Sequence, residues 1–120
     1  MKPEFASIER GELYWIDWDP ARGSEQAGRR PGLVVQEDAA STNPRYPLTI
    51  VAAVSTKGRS VPSHVLVQPS LANGLSEVSY VKCEQLMTVS KARLVARIGR
   101  LSPPDLHRVA AALMRVLTLP

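Results

Sequence analysis

Cysteine and histidine are scarce in this chain of 120 residues, which contains one cysteine and two histidines. A single cysteine allows neither an intrachain disulfide nor a thiolate metal cluster, and we expect Cys83 to be a buried apolar residue rather than a nucleophile. His64 and His107 lie far apart in the sequence and form no H-x-x-x-H or H-E-x-x-H pattern. We therefore expect no metal site and no metal cofactor.

Long apolar runs are also absent. No stretch approaches the ~20 apolar residues needed to cross a bilayer, and residues 1–5 lack the apolar region of a signal peptide. The sequence therefore predicts a cytoplasmic protein without a membrane partner. Gly23 and Gly28 form neither a G-x-G-x-x-G nor a Walker pattern, so we expect no nucleotide cofactor.

The composition that remains is typical of one folded domain. Hydrophobic residues make up 44% of the chain and charged residues 22%, and the formal net charge of +4 permits an anionic partner. We expect residues 1–9 to be a flexible lead and residues 10–120 to form a single domain.

Most of the predicted elements are short strands. The run over 48–55 is apolar almost throughout, which predicts a central strand covered on both sides. The run over 93–100 alternates charged and apolar residues, which predicts an edge strand with one solvated face. The other predicted strands cover 10–18, 32–36, 64–68, 78–83 and 86–89.

One helix is predicted at the end of the chain. Ser102 is a suitable N-cap, Pro103 suits the first helical position, and Asp105 completes a capping pattern. Apolar residues at helical spacing then extend the prediction over 103–118. The sequence thus predicts a mainly β fold, with a small and strongly bent sheet or barrel and a C-terminal helix against it.

The connection over residues 19–30 is longer and more polar than a simple strand connection, whose median length is about 4–6 residues. Such loops often carry function, because a rigid scaffold presents their polar groups to a ligand. The segment also has features suited to a phosphodiester. They are the guanidinium groups of Arg29 and Arg30, the polar side chains of Ser24, Glu25 and Gln26, the small Gly28 and the neighbouring indole of Trp18.

RNA would be a favourable substrate for such a site, because its own 2′-hydroxyl can attack the neighbouring phosphate. The protein then needs no metal ion and no nucleophile of its own, and has to align the groups, transfer protons and stabilise the anionic transition state. The structural alternatives stay open at this point. Arg29 and Arg30 can belong to a solvated basic turn, and Trp18 can be a core aromatic residue rather than a base-stacking one.

Several ordered motifs give the chain a resemblance to the MazF/PemK family of toxin endoribonucleases. The motifs are Arg10-Gly11-Glu12, Asp19-Pro20, Gly23-Ser24-Glu25-Gln26-x-Gly28-x-Arg30-Pro31, Ala52-Ala53-Val54-Ser55 and Glu84-Gln85-Leu86-x-Thr88. The resemblance covers most of the chain and implies an SH3-like small barrel of the MazF/PemK/CcdB type with an added helix. It also implies a homodimer that cleaves single-stranded RNA without a metal, giving a cyclic phosphate and a 5′-hydroxyl, and a cognate antitoxin whose acidic tail covers the RNA channel.

The resemblance also implies roles for particular residues. Arg30 matches the catalytic arginine before the proline, Ser55 matches the catalytic threonine or serine, and Glu25 is expected to orient the loop or assist as a base. Serine in place of the commoner threonine keeps the hydroxyl but loses the methyl that restricts its rotamer. The expected RNA-binding residues are Trp18, Ser24, Gln26, Gly28 and Arg29, together with Thr56, Lys57 and Arg59 of the basic loop over 56–63, a segment that we expect to influence which RNA sequence is cut.

Two other functions remain compatible with the sequence. A CcdB-like gyrase-directed toxin of similar fold would act by protein contact alone, and a noncatalytic nucleic-acid-binding barrel would retain RNA without cutting it. The pairing of a loop arginine with a hydroxyl favours the ribonuclease over the gyrase-directed toxin, which would not need it, while a noncatalytic barrel is distinguished by RNA that is retained without cyclic-phosphate ends.

Overall fold

The computed structural model describes residues 7–18 and 28–120. This part of the chain forms a single six-stranded antiparallel sheet in the order β4-β5-β3-β2-β1-β6, with two α-helices and a 3₁₀ turn at 91–93. No helix in the described ranges is long and apolar enough to span a membrane. The elements are β1 Glu12–Asp17, β2 Arg29–Val34, α1 Asp38–Ser41, β3 Leu48–Ser55, β4 His64–Val67, β5 Ser79–Ser90, β6 Leu94–Arg100 and α2 Pro103–Val116.

The predicted fold class, mainly β with a C-terminal helix, is confirmed. Strand β3 is central and pairs with β2 and β5, while β6 lies at an edge of the sheet, as the apolar and the alternating patterns predicted. The N-cap of α2 is also confirmed, since the Ser102 hydroxyl accepts a hydrogen bond from the backbone N–H of Asp105. The helix ends at Val116, two residues earlier than predicted.

The prediction of two separate strands over 78–83 and 86–89 is wrong. These residues belong to one strand, β5, which contains a bulge: Ala53 of β3 lies opposite Lys82, but the preceding Ala52 lies opposite Leu86. Residues 83–85 are therefore extra in the ladder. A bulge interrupts the alternation of inward and outward side chains, so in the sequence it resembles a gap between two strands.

Strand β2 begins at Arg29, three residues before the predicted start at Gly32. Both candidate arginines thus lie on a strand rather than in a loop. A proline is unusual within a sheet because it cannot donate to the ladder. Pro31 of β2 lies opposite Trp15 of β1, but the ladder between β2 and β3 begins only at Gly32. On the β3 side, no ladder hydrogen bond is therefore lost because proline has no N–H.

The sheet has an apolar cluster on each side. One contains Leu13 and Leu33 and is covered by Val109 and Ala112 of α2. The other contains Ile16, Val34 and Val51, and Ile8 packs into it from the predicted flexible lead. The lead is therefore anchored at its end, while residues 1–6 lie outside the described residues.

The loop over 70–77 is held firmly against β6. Asn73 is only 2% exposed; its Oδ1 accepts hydrogen bonds from the N–H groups of Ser70 and Leu75, and its Nδ2 donates to the carbonyl of Gln68. Gly74 has a φ of +70°, and a Cβ there would collide with the carbonyl of Ile98. The close contact places the following residues of this loop at the rim of a cleft.

Candidate active site

A cleft of about 1140 Å³, partly open to solvent, lies in the described part of the chain. It lies at the end of the sheet where β1 and β3 end and β2 and β5 begin. Its lining includes both Arg30 and Ser55. The residues that line it also include Trp15, Trp18, Pro31, Thr56, Glu77, Lys82, Gln85, Leu86 and Met87.

Strand register explains why Arg30 and Ser55 meet. In the antiparallel β2–β3 pair, Gly32 lies opposite Ala53 and Leu33 opposite Ala52. Arg30 and Ser55 lie two residues beyond the last pair of this ladder, near the ends of their strands. Because side chains alternate along a strand, Arg30 lies on the face of Gly32 and Ser55 on the face of Ala53, which is the same face of the sheet. The two groups that the sequence paired by resemblance are thus brought to one place by the sheet.

The Ser55 hydroxyl is half-buried and oriented by the next turn of the chain. Its Oγ accepts a hydrogen bond of 3.0 Å from the backbone N–H of Lys57. A hydroxyl that accepts this bond keeps its own proton for donation to a substrate oxygen. Thr56 follows the last residue of β3 and also lines the cleft. In a continuing strand, Thr56 would point to the face opposite Ser55. Because β3 ends at Ser55, this rule does not apply to Thr56.

Trp18 is tied to the backbone of the same arginine. Its Nε1 donates a hydrogen bond of 3.2 Å to the carbonyl of Arg30, and its ring packs beside the cluster of Ile16. A Cβ on Gly32 would lie 3.1 Å from Trp18 Cζ2 and would collide with Ile16, so the absence of a side chain at Gly32 makes room for both. The tryptophan thereby helps to hold Arg30, which is exposed at the cleft.

The other predicted site residues are distributed unevenly. Ser24, Glu25 and Gln26 lie outside the described residues. Gly28 is exposed, with open space where a Cβ would stand. Arg29 is exposed and lies opposite Asp17 in the β1–β2 pair. Of the basic loop, Thr56 lines the cleft, while Lys57 and Arg59 are exposed beside it and Arg59 lines a separate, smaller pocket.

His64 fastens the basic loop rather than facing the cleft. Its Nδ1 accepts a hydrogen bond of 3.0 Å from the N–H of Arg59, so the ring proton is on Nε2, which donates to Glu84 Oε2 at 2.8 Å. Burial raises the pKa of the Glu84 carboxyl, but hydrogen bonds from His64 and Ser63 outweigh it and leave the pKa lowered. The pair is a structural link between the loop and β5.

Cys83 is buried, as the sequence predicted. Burial, with a smaller contribution from the charge of Glu84, raises the pKa of its thiol to about 11. A thiol at neutral pH is a weak nucleophile, so Cys83 contributes to packing rather than to chemistry. Within residues 7–18 and 28–120, no three His, Cys, Asp or Glu side chains are grouped as metal ligands.

Sequence reasoning gave no role to several polar and aromatic residues of the cleft. Trp15 lies on β1, Lys82 directly precedes the bulge of β5 and Gln85 is the last residue within it, and all three line the cleft. Gln85 stands within the E-Q-L-x-T motif, and that was the one signal available for it. Glu77 reaches the cleft through the close packing of the 70–77 loop on β6, which no local pattern predicts.

Comparison with known proteins agrees with this architecture. Residues 9–117 match the family model described as PemK-like, MazF-like toxin of type II toxin–antitoxin system. The chain is 36% identical to Endoribonuclease MazF2 of Mycobacterium bovis over 93% of this chain and 98% of that protein. It is 35% identical to Endoribonuclease EndoA of Bacillus subtilis over 93% and 96% of the two chains. A solved mycobacterial endoribonuclease in complex with its cognate antitoxin superposes with a TM-score of 0.78 at 25% identity, covering 94% and 97%.

Proposed function

This chain belongs to the PemK-like, MazF-like family of type II toxin–antitoxin toxins, and we propose that it cleaves single-stranded RNA in the cleft of Arg30 and Ser55 without a metal ion. Endoribonuclease activity comes with the family, since the relatives at 36% and 35% identity are named endoribonucleases. The proposal adds the place of the reaction and the residues that perform it.

The observation that carries the proposal is the position of two groups in one open cleft. Arg30 supplies a permanent positive charge and a planar set of donors that match phosphate oxygens. Ser55 supplies a hydroxyl already oriented by the N–H of Lys57. Both lie at the ends of paired strands, and a rigid sheet holds such groups more accurately than a loop does.

The reaction follows from what these groups can do to an RNA phosphodiester. The 2′-oxygen attacks phosphorus and loses its proton, the bond from phosphorus to the 5′-oxygen breaks, and the leaving oxygen takes up a proton. The products are a 2′,3′-cyclic phosphate and a 5′-hydroxyl. Arg30 stabilises the charge of the crowded phosphorane, Ser55 donates to the reacting oxygens, and Glu25 orients the loop or accepts the proton.

Binding of the strand is assigned to the basic residues around the cleft. Arg29, Lys57 and Arg59 are exposed. Arg29 precedes Arg30 on β2, the backbone of Lys57 contacts the Ser55 hydroxyl, and Arg59 follows in the same loop and lines the smaller pocket. Each phosphate contact releases counterions, so the affinity should fall as salt rises, with a slope of about −0.7 per contact on a log–log scale. Gly28, Ser24 and Gln26 belong to the same binding surface, and the loop over 56–63 contributes to the choice of RNA sequence.

The partners follow from the family. The toxin is paired with a cognate antitoxin, as in the mycobacterial complex of similar fold, and an extended acidic tail suits a cationic cleft. We propose that the protein works as a homodimer in the cytoplasm, because a two-fold pair extends one shallow cleft into a longer channel for the strand.

The decisive experiment incubates the purified protein with a long RNA in EDTA and maps the ends of the fragments. We expect discrete cuts that leave cyclic phosphates and 5′-hydroxyl groups. Arg30→Ala and Ser55→Ala should each cut about 100–1,000-fold more slowly, the usual cost of losing one preorganised transition-state donor. Arg115→Ala, an exposed arginine near the end of α2, is the matched control and should cut like the parent.

Two results would contradict the proposal. Retention of intact RNA in EDTA would favour a noncatalytic binding barrel, and absence of both binding and cutting would favour a toxin that acts by protein contact, such as a gyrase-directed one. Undiminished cleavage by Arg30→Ala would show that the reaction takes place elsewhere.

A further inference from the structure

We propose that Trp15 is the surface on which an unpaired RNA base stacks, beside the phosphate held by Arg30. This inference rests on the proposed ribonuclease function and adds a substrate-positioning residue to it. The sequence assigned base stacking to Trp18, so the structure exchanges the roles of the only two tryptophans of the chain.

Trp15 is the accessible indole of the two. It is 43% exposed although it lies within a paired strand, and it lines the same cleft as Arg30 and Ser55. Its neighbours across the sheet are Pro31 on β2 and Ala96 on β6. Both side chains are short, so they leave the indole standing above the surface. Tryptophan is enriched at binding interfaces because its ring offers a large apolar surface with a polar N–H, and Trp15 offers that surface inside the cleft rather than elsewhere on the protein.

Trp18 is already engaged. Its Nε1 donates to the carbonyl of Arg30, and its ring edge occupies the space above Gly32. A base that stacked on Trp18 would have to share a ring whose position is fixed by these contacts. Trp18 therefore positions Arg30, and Trp15 remains available to the substrate.

The placement of Trp15 suits a nucleotide next to the cleaved bond. Trp15 lies opposite Pro31, the residue that follows Arg30. Successive residues alternate between the two faces of a strand, so the side chains of Trp15 and Arg30 leave the β1–β2 pair on opposite faces, and both line the cleft at the end of the sheet. A phosphate on the guanidinium and its own or the adjacent base on the indole can be bound together.

The chemistry of the surroundings favours a nucleobase over a purely apolar ligand. Lys82 brings a second cation to the cleft, and Gln85 brings an amide that can donate to and accept from a base edge. An exposed indole accepts the π-face of any base, and stacking is possible only where the base is not already paired. The arrangement thus predicts single-stranded RNA and disfavours a duplex.

The two tryptophans make the test direct. Trp18→Phe leaves Trp15 as the only tryptophan, and Trp15→Phe leaves Trp18. Each is titrated with a 2′-O-methyl oligonucleotide that spans a mapped cleavage site and cannot be cut because its nucleophile is blocked. We expect saturable quenching of Trp15 fluorescence, and a much smaller response from Trp18.

Cleavage kinetics give the second measurement. Trp15→Ala should raise KM roughly 5- to 150-fold, the range expected for losing one stacked base, with a smaller effect on kcat. Trp15→Tyr keeps a stacking ring and should recover most of the affinity. For a stacking role, Trp15→Ala should have a much higher KM than Trp15→Tyr, and the melting temperature of Trp15→Tyr should equal that of the parent. A purely structural role would not give this combination.

Three outcomes would overturn the inference. One is unchanged Trp15 fluorescence on saturation with the oligonucleotide, and another is equal KM for Trp15→Ala and the parent. The third is Trp15 fluorescence that depends on protein concentration but not on RNA, which would identify Trp15 as a contact between copies of the chain. Cleavage that persists in these cases leaves the ribonuclease function intact, whereas a parent protein that never cuts RNA refutes that function instead.

Discussion

Two glycines, each two residues from Arg30 in the sequence, differ in what an added methyl group would meet. At Gly32 a Cβ would collide with Ile16 and press on Trp18, both of which lie beside the second apolar cluster. At Gly28 no atom of residues 7–18 or 30–120 lies within 4 Å of that position. The protein's own packing thus requires glycine at the first position but not at the second.

Gly32→Ala should therefore lower the free energy of unfolding by about 1–3 kcal/mol, the usual cost of overpacking. Gly28→Ala should change it by less than about 0.5 kcal/mol. If RNA approaches the backbone at Gly28, cleavage by Gly28→Ala will be slower at unchanged stability. Urea denaturation and the cleavage assay measure the two effects, and full activity of Gly28→Ala would remove this glycine from the binding surface.

Tyr14 makes stability depend on pH in the alkaline range. Burial, followed by the charge of Glu12 and the hydrogen bond that the phenol donates to it, raises the pKa of Tyr14 from 10.0 to about 12. The folded protein then keeps a proton that the unfolded chain loses near pH 10. Its contribution to stability is fully present below pH 10 and is lost as the pH rises towards 12.

The loss should amount to about 3 kcal/mol over this interval, at 1.36 kcal/mol for each unit of pKa. In Tyr14→Phe, the free energy of unfolding should lose this part of its decrease with pH, as measured by urea denaturation at pH 9, 10 and 11. Cys83 adds a similar decline above pH 9 in both proteins, so the difference between them is the relevant quantity. Tyr46→Phe, at an exposed tyrosine, should reproduce the parental profile, and an equally steep decline in Tyr14→Phe would contradict the assignment.

Among the elements, the 70–77 loop forms part of the wall of the cleft that Arg30 and Ser55 also line. It packs on the bulged part of β6, where Tyr14 lies opposite Arg97 but Leu13 lies opposite Gly99. A Cβ on Gly99 would collide with the backbone of Asn73, so the backbone of the 70–77 loop packs directly against the backbone of β6 at this contact. The loop is therefore a rigid wall of the cleft.

Asn73→Ala should destabilise the protein by about 2–4 kcal/mol, because it leaves buried backbone groups without partners. Cleavage should also weaken at temperatures well below unfolding, since Leu75, Ser76 and Glu77 would no longer be held at the rim. Thermal melting and cleavage at 20 °C separate the two effects. Leu71→Ala, at the fully exposed tip of the same loop, is the control and should match the parent in both.

At the scale of the whole molecule, one surface is too apolar to remain solvated. Met114 lies on the exposed side of α2, and Leu117 and Leu119 follow at the end of the helix; all three are about half exposed. Exposed apolar residues grouped in this way are typical of an interface between subunits. The expected homodimer would bury them.

Sedimentation velocity at micromolar concentration should therefore show a species of twice the 13.1 kDa chain mass. Leu117→Glu should shift it towards monomer, while Leu71→Glu, which puts the same charge at a site away from the helix, should not. A parent protein that sediments as a monomer throughout this range would rule out the dimer.

Some elements could be predicted from the sequence and others could not. The C-terminal helix, its N-cap and the central strand are determined by residues close together in the chain, and local spacing and capping chemistry were enough to predict them. The resemblance identified Arg30 and Ser55, and the β2–β3 register brings them into one cleft. The bulge in β5 was missed because it exists only relative to the partner strand β3.

The sequence by itself determined the kind of fold and the family, because both are recorded in short-range patterns, and it supplied Arg30 and Ser55 as the proposed catalytic groups. Only the tertiary structure decided how two identical side chains differ in the cleft that both line: Trp15 is 43% exposed, whereas Trp18 donates a hydrogen bond to the carbonyl of Arg30. The physical reason is that exposure depends on what lies opposite in the neighbouring strand. The short side chains of Pro31 and Ala96 leave the indole of Trp15 exposed, and the indole edge of Trp18 packs in the space that Gly32 leaves by having no side chain.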